Sequence, residues 1–179
     1  EYRTIVSVTT ICFDIFFFES IISLQKGLKL VIANQDQQTI PRLLLDLIKK
    51  EHIEIIQTTP SRMNLLLDNI SKEKDLNTLK YIILAGEQFP MTLAEKLRKI
   101  GNVKLYNGYG PSETTVFSTF TDVSNVKKMT IGKPLDNTQI YIVNKNMDLL
   151  PNGIAGEICI SGDAVGKGYI NNSELTQKS

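Results

Sequence analysis

The residues richest in chemistry run from Asn107 to Thr115, Asn-Gly-Tyr-Gly-Pro-Ser-Glu-Thr-Thr. Gly108, Gly110 and Pro111 make a turn whose backbone a ligand can approach closely. The hydroxyls of Ser112, Thr114 and Thr115 surround one carboxylate, Glu113. A ligand with a flat ring, phosphates and a divalent metal would use all of these groups. The ring would stack on Tyr109, and Asn107 with the exposed backbone would read its edge. The hydroxyls would meet phosphate oxygens, and Glu113 would hold Mg2+, which prefers hard oxygen ligands. The same string also suits a plain strand-end turn with an ordinary polar cluster. Residue types alone leave both readings open.

The second candidate is Asp14, a lone carboxylate between Phe13 and Ile15 in the apolar stretch from Ile11 to Leu24. A buried carboxylate is costly unless a cation or hydrogen bonds meet it. One partner would be the N-terminus of a helix running to about Leu24, which Asp14 would cap. His52, the only histidine, follows a helix and reads as a surface or packing residue. Cys12 and Cys159 stand in apolar surroundings without metal-ligand spacing and read as buried free thiols.

These residues need elements to hold them. Short apolar runs at 4–10, 28–33, 53–58, 81–85 and 103–106 read as strands. Between them, 41–50, 61–70 and 91–100 carry apolar residues at helical spacing, with Pro41 opening the first helix and Gly101 closing the last. Residues 35–40 read as a polar loop and 72–78 as a solvated turn. The alternation predicts an α/β fold, a mainly parallel sheet flanked by helices. In such sheets ligands sit at the carboxyl ends of the strands. Gln57, Ala85, Gly86, Asn107 and Gly108 fall there. After Thr121 the pattern changes to alternating strands at 139–143 and 156–162, with a turn at 144–148 and a return at 149–153. This predicts a small antiparallel β subdomain over 122–179, after an α/β subdomain over 1–121.

Composition narrows the classes. With 179 residues, 42% hydrophobic and 22% charged, the chain can bury a core and is ordinary for a globular protein. A formal net charge of +1 and no basic run give no basis for nucleic-acid binding. Asp14, Glu19 and Ser20 interrupt the densest apolar stretch, so no membrane span is expected. The chain begins without Met and is expected to be a fragment of a longer protein.

The 107–113 string closely resembles the fifth core motif of the adenylate-forming (AMP-binding) enzymes, N-x-Y-G-P-T/S-E, and most of all that of the amino-acid-activating (adenylation) domains of nonribosomal peptide synthetases. Phe13-Asp14 resembles the F-D-x-S motif of that family. Gly156 to Ile170 resembles its sixth motif, with Gly166 and Lys167 in place of the usual Ala and Arg; this stretch reads as mostly architectural. The resemblance implies part of the large N-terminal domain of such an enzyme. ATP would lie against Gly86, Glu87, Asn107, Gly108, Tyr109, Gly110, Ser112 and Thr114, with Glu113 on Mg2+. Asp14 would take the substrate ammonium. Ile15, Phe18, Gln57, Ile83, Ala85, Gly108, Val116 and Phe117 would line the side-chain site.

None of these lining residues is charged, so a neutral, mainly apolar amino acid is expected, with Gln57 as the one polar contact. The implied reaction forms an aminoacyl-AMP and pyrophosphate, then loads the phosphopantetheine thiol of a carrier protein. Carrier and condensation domains are the implied partners, and the cytoplasm the implied location. The catalytic Lys is expected beyond Ser179, so none of the catalytic set lies in this chain. An acyl- or aryl-acid ligase of the same superfamily and a non-catalytic nucleotide-binding domain are the rival readings.

Overall fold

A computed structural model describes residues 3–70 and 73–178. Its first strand, β1 (Thr4–Ser7), is followed by the helical segment α1 (Ile15–Phe17), a π-turn (Phe18–Ile22) and α2 (Ser23–Gln25). Then come β2 (Lys29–Ile32), α3 (Gln35–Thr39), α4 (Pro41–Lys50), β3 (Ile55–Thr58), α5 (Pro60–Asp68), β4 (Tyr81–Leu84), α6 (Met91–Arg98) and β5 (Lys104–Tyr109). The chain closes with β6 (Thr119–Asp122), β7 (Lys133–Pro134), β8 (Thr138–Val143), β9 (Glu157–Gly162) and α7 (Ser173–Lys178).

The main sheet has the order β2-β1-β3-β4-β5-β6-β7. The first five strands are mutually parallel, and β6 and β7 are antiparallel additions. Strands β8 and β9 form a separate antiparallel pair. The expected α/β architecture with a small antiparallel sheet is what the chain adopts.

Because strand side chains alternate faces, the sheet has two different sides. Val6, Ile56, Ile82, Leu84 and Leu105 point into the main core against Leu44, Ile48, Met63, Leu66, Leu93 and Leu97 of α4, α5 and α6. Their neighbours Ile55, Ile83, Ala85 and Tyr106 face the other way, toward Ile15, Phe18, Phe117 and Phe120. The second face is where the predicted substrate residues gather.

Several local expectations are corrected. Residues 35–39 are a helix, not a loop: the Asn34 side chain caps it, accepting from the Gln37 N–H, and the Asn34 N–H donates to the Gln37 side-chain oxygen. The 103–106 strand continues through Asn107, Gly108 and Tyr109, because β6 pairs with all three. The partner of β8 is β9, and Leu149 contributes a single bridge to Val143. Cys12 is exposed rather than buried. The turn expected at 72–78 lies partly outside the described residues and contains a 3-10 turn at Glu73–Leu76. No helix among the described residues is long and apolar enough to cross a membrane.

Candidate functional site

The carboxyl ends of β4 and β5 open onto a cavity of about 590 Å3 lined by Gly86–Phe89, Asn107–Pro111 and Met129–Ile131. Tyr109 ends β5 at its rim, half-buried. Asn107 is 5% exposed, and its amide nitrogen donates to the Thr130 carbonyl at 2.8 Å. That bond fixes the amide and leaves its oxygen as the acceptor available to a ligand. The excursion between β6 and β7 brings Thr130 there. Met129, Thr130 and Ile131 belong to no motif in the sequence, and the antiparallel return of the chain places them beside Asn107.

Gly86 has φ +81, a left-handed conformation that suits glycine. Glu87 lines the cavity as well, with its carboxylate tied to α5: it accepts the Ser61 N–H at 2.9 Å and the Ser61 hydroxyl at 2.6 Å at that helix's N-terminus. These bonds hold its carboxyl below the usual range.

Past Tyr109 the backbone is tightly packed. A Cβ on Gly110 would lie 2.7 Å from the Ser118 nitrogen and 2.8 Å from the Val116 carbonyl oxygen. Only glycine fits so close to another strand of backbone. Ser112–Thr114 then form a 3-10 turn. Ser112 is exposed, whereas Thr114 is buried and its hydroxyl is shared with the Pro111 carbonyl at 3.0 Å and the Ser118 hydroxyl at 2.6 Å.

Glu113 is exposed and accepts a hydrogen bond from the Tyr169 hydroxyl, which draws its carboxyl below the usual range. Gly166 N–H donates to the Glu113 carbonyl at 2.7 Å, and the Thr115 hydroxyl to Ala164 at 2.8 Å. The stretch read as architectural is therefore folded onto the residue expected to carry metal. Among the described residues no three His, Cys, Asp or Glu side chains form a metal cluster. A single exposed carboxylate nevertheless fits Mg2+, which keeps several waters and takes its remaining ligands from substrate phosphates.

Thr115 and Val116 have φ +59 and +66. Two consecutive β-branched residues in the left-handed region carry strain of about 1–3 kcal/mol each. Asp14 helps hold them: its Oδ2 accepts the Val116 N–H at 3.1 Å. Asp14 makes no capping bond to its own helix, although it occupies the N-cap position.

The expected substrate-lining residues come together. Ile83, Ala85 and Phe117 are buried in one cluster with Ile15, Phe18 and Val116 packed on it. The rings of Phe18 and Phe117 meet edge to face, with centroids 5.3 Å apart. Phe117 covers Gly108 so closely that a Cβ there would lie 2.7 Å from the ring. Gln57 stands beside Ile83 in register and is 2% exposed.

A family described as AMP-binding enzyme matches residues 1–170. The chain is 37% identical over 183 residues to surfactin synthase subunit 1 of Bacillus subtilis (strain 168), covering 99% of the chain and 5% of that protein. It is also 37% identical to surfactin synthase subunit 3 of the same organism, with 99% and 14% covered. Among solved structures it superposes on holo-AB3403, a four-domain nonribosomal peptide synthetase bound to AMP and glycine. That match has a TM-score of 0.87 and 32% identity, covering 98% of this chain and 13% of the other.

Proposed function

The chain belongs to the AMP-binding enzyme family, and on that premise we propose that it is part of an amino-acid-activating domain of a nonribosomal peptide synthetase. The substrate carboxylate attacks the α-phosphorus of ATP, the bond between the α- and β-phosphates breaks, and pyrophosphate leaves an aminoacyl-AMP. A carrier-protein phosphopantetheine thiol then attacks the acyl carbon, the acyl–phosphate bond breaks, and AMP leaves as the thioester forms.

The observation that carries this reading is Asp14, whose carboxylate accepts the N–H of Val116, a residue packed with Ile15, Phe18, Ile83, Ala85 and Phe117 in one apolar cluster. Its second oxygen remains to meet an ammonium group, a charge-assisted pair. Beside it, Asn107 presents its oxygen to an exocyclic amine and Tyr109 offers its ring to the adenine face. The Gly86 and Gly108 backbone lies along the ring edge. Ser112 meets the phosphates, and Thr114 braces the turn beneath it. Glu113 would hold Mg2+, which neutralises phosphate charge as it develops. The protein's contribution is chiefly to position two substrates.

The test is ATP–pyrophosphate exchange by the full-length protein carrying this chain, against each amino acid, with fatty and aryl acids as controls. Amino-acid-dependent exchange is expected. Exchange only with acids that lack an amine would move the protein to the acyl ligases and remove the role of Asp14. Nucleotide binding without any exchange would leave a non-catalytic domain.

A further inference from the structure

Glu19 is 0% exposed, on the π-turn that follows α1. Its Oε2 accepts from the Ser7 hydroxyl at 2.8 Å and from the Val8 and Thr9 N–H groups at 3.0 Å each. Its Oε1 accepts from the Thr9 hydroxyl at 2.7 Å. The fifth donor is Gln57. In the orientation where both ends of its amide find partners, the nitrogen donates to Glu19 Oε1 at 2.7 Å and the oxygen accepts the Thr58 N–H at 3.3 Å. Both ends of the one polar side chain among the eight residues expected to line the side-chain site are therefore used inside the protein. Burial pushes the Glu19 carboxyl upward while the donors from Thr9, Ser7 and Val8 pull against it.

Resting on the amino-acid-activating reading above, we propose that Glu19 is a positioning residue for substrate selection: it holds the Gln57 amide away from the ligand, so the side-chain site is apolar in effect and takes an amino acid without a hydrogen-bonding side chain. A substrate hydroxyl entering this site would be buried without a partner, which is the costly case. The adjacent walls agree, since Gln57 is in register with Ile83, and Ile83 packs with Ala85 and Phe117. The π-turn serves this arrangement by presenting Phe18 to the cluster and Glu19 to β1 from consecutive positions.

The test uses exchange by the full-length protein with valine and threonine, which differ by a methyl for a hydroxyl. Wild type is expected to favour valine by about tenfold or more in kcat/KM, the scale of one buried unpaired polar group. Glu19→Gln offers an amide where a carboxylate received five donors, so Gln57 turns and the ratio falls by roughly tenfold. Gln57→Leu keeps the ratio at or above the wild-type value. The double variant regains the ratio lost in Glu19→Gln, because Glu19 acts through Gln57.

An equal loss of ratio in both backgrounds would overturn the inference, since Glu19 would then act only through structure. A wild type that prefers threonine or another polar amino acid would overturn it and leave the activity standing. A wild type without amino-acid-dependent exchange would remove the activity itself. Should Glu19→Gln fail to fold, Gln57→Leu decides alone: a fall in its ratio would mean that the amide contacts substrate.

Discussion

Asp14 and Val116 lie 102 residues apart in sequence, yet the Asp14 carboxylate accepts the Val116 N–H at 3.1 Å. This one bond joins the segment after β1 to the segment after β5, and it leaves an oxygen facing the proposed amine. Asp14→Asn keeps an acceptor for Val116 but removes the charge. A hydrogen bond to a charged group contributes about 2 kcal/mol, so kcat/KM for the amino acid is expected to drop roughly thirtyfold. The KM for ATP should move little. An unaltered amino-acid KM would remove Asp14 from the site.

Gly108 and Gly110 should respond differently to alanine. At Gly108 the new Cβ meets ring atoms of Phe117 at 2.7 and 2.9 Å, and a side chain can swing. At Gly110 it meets the backbone of Ser118, Val116 and Phe117 at 2.7–2.9 Å, which has nowhere to go. Gly108→Ala is expected to lose about 1–3 kcal/mol and to shift substrate preference by displacing Phe117. Gly110→Ala should lose more. Denaturant melts of the two variants check the order, and equal shifts would contradict the packing argument.

The bond from Asn107 to Thr130 predicts base selectivity. With its nitrogen turned to the Thr130 carbonyl at 2.8 Å, Asn107 presents its oxygen to the ligand as an acceptor. Adenine offers an amine there; hypoxanthine offers a carbonyl. ATP should bind about tenfold more tightly than ITP. Asn107→Asp sets a carboxylate oxygen against the Thr130 carbonyl and should weaken ATP further. Calorimetric titration with both nucleotides would decide, and equal affinities would count against the assigned orientation.

Glu87 predicts an acid-sensitive tie. Its carboxyl is held low by the Ser61 hydroxyl and N–H. Its stabilising contribution is therefore present above the ordinary carboxylate value of 4.5 and is lost as pH falls through the depressed native value. The residue is exposed, so Glu87→Gln should cost only about 0.5 kcal/mol near neutrality. That difference should vanish in acid. Chemical denaturation of both proteins from pH 3 to 7 checks the sign, and a difference that grows on acidification would refute it.

The parallel sheet is legible because its central strands β1, β3 and β4 are largely buried on both faces and read as apolar runs, such as Tyr81-Ile82-Ile83-Leu84. The motif residues were legible because their types and order are unusual. What remained hidden came from long-range geometry. No pattern around Thr130 or Tyr169 says that it will meet Asn107 or Glu113. Helix α3 reads as a loop in the sequence because its helical signal is a side-chain cap at Asn34 and Gln37 rather than apolar spacing. Glu19 read as a mere break in an apolar stretch, whereas five donors converge on it.

The order of the sheet also sets an order in time. Strands β1 to β4 leave the ribosome well before the segment that holds Val116. At roughly 5–20 residues per second, Asp14 waits about 5–20 s for its partner 102 residues later. Once made, Ile55 and Ile83 wait about 3–12 s and about 2–7 s for the cover of Phe117. Until Phe120 is made, the growing chain thus carries an uncovered apolar face. The cavity at the ends of β4 and β5 is complete only once synthesis has passed Ile131.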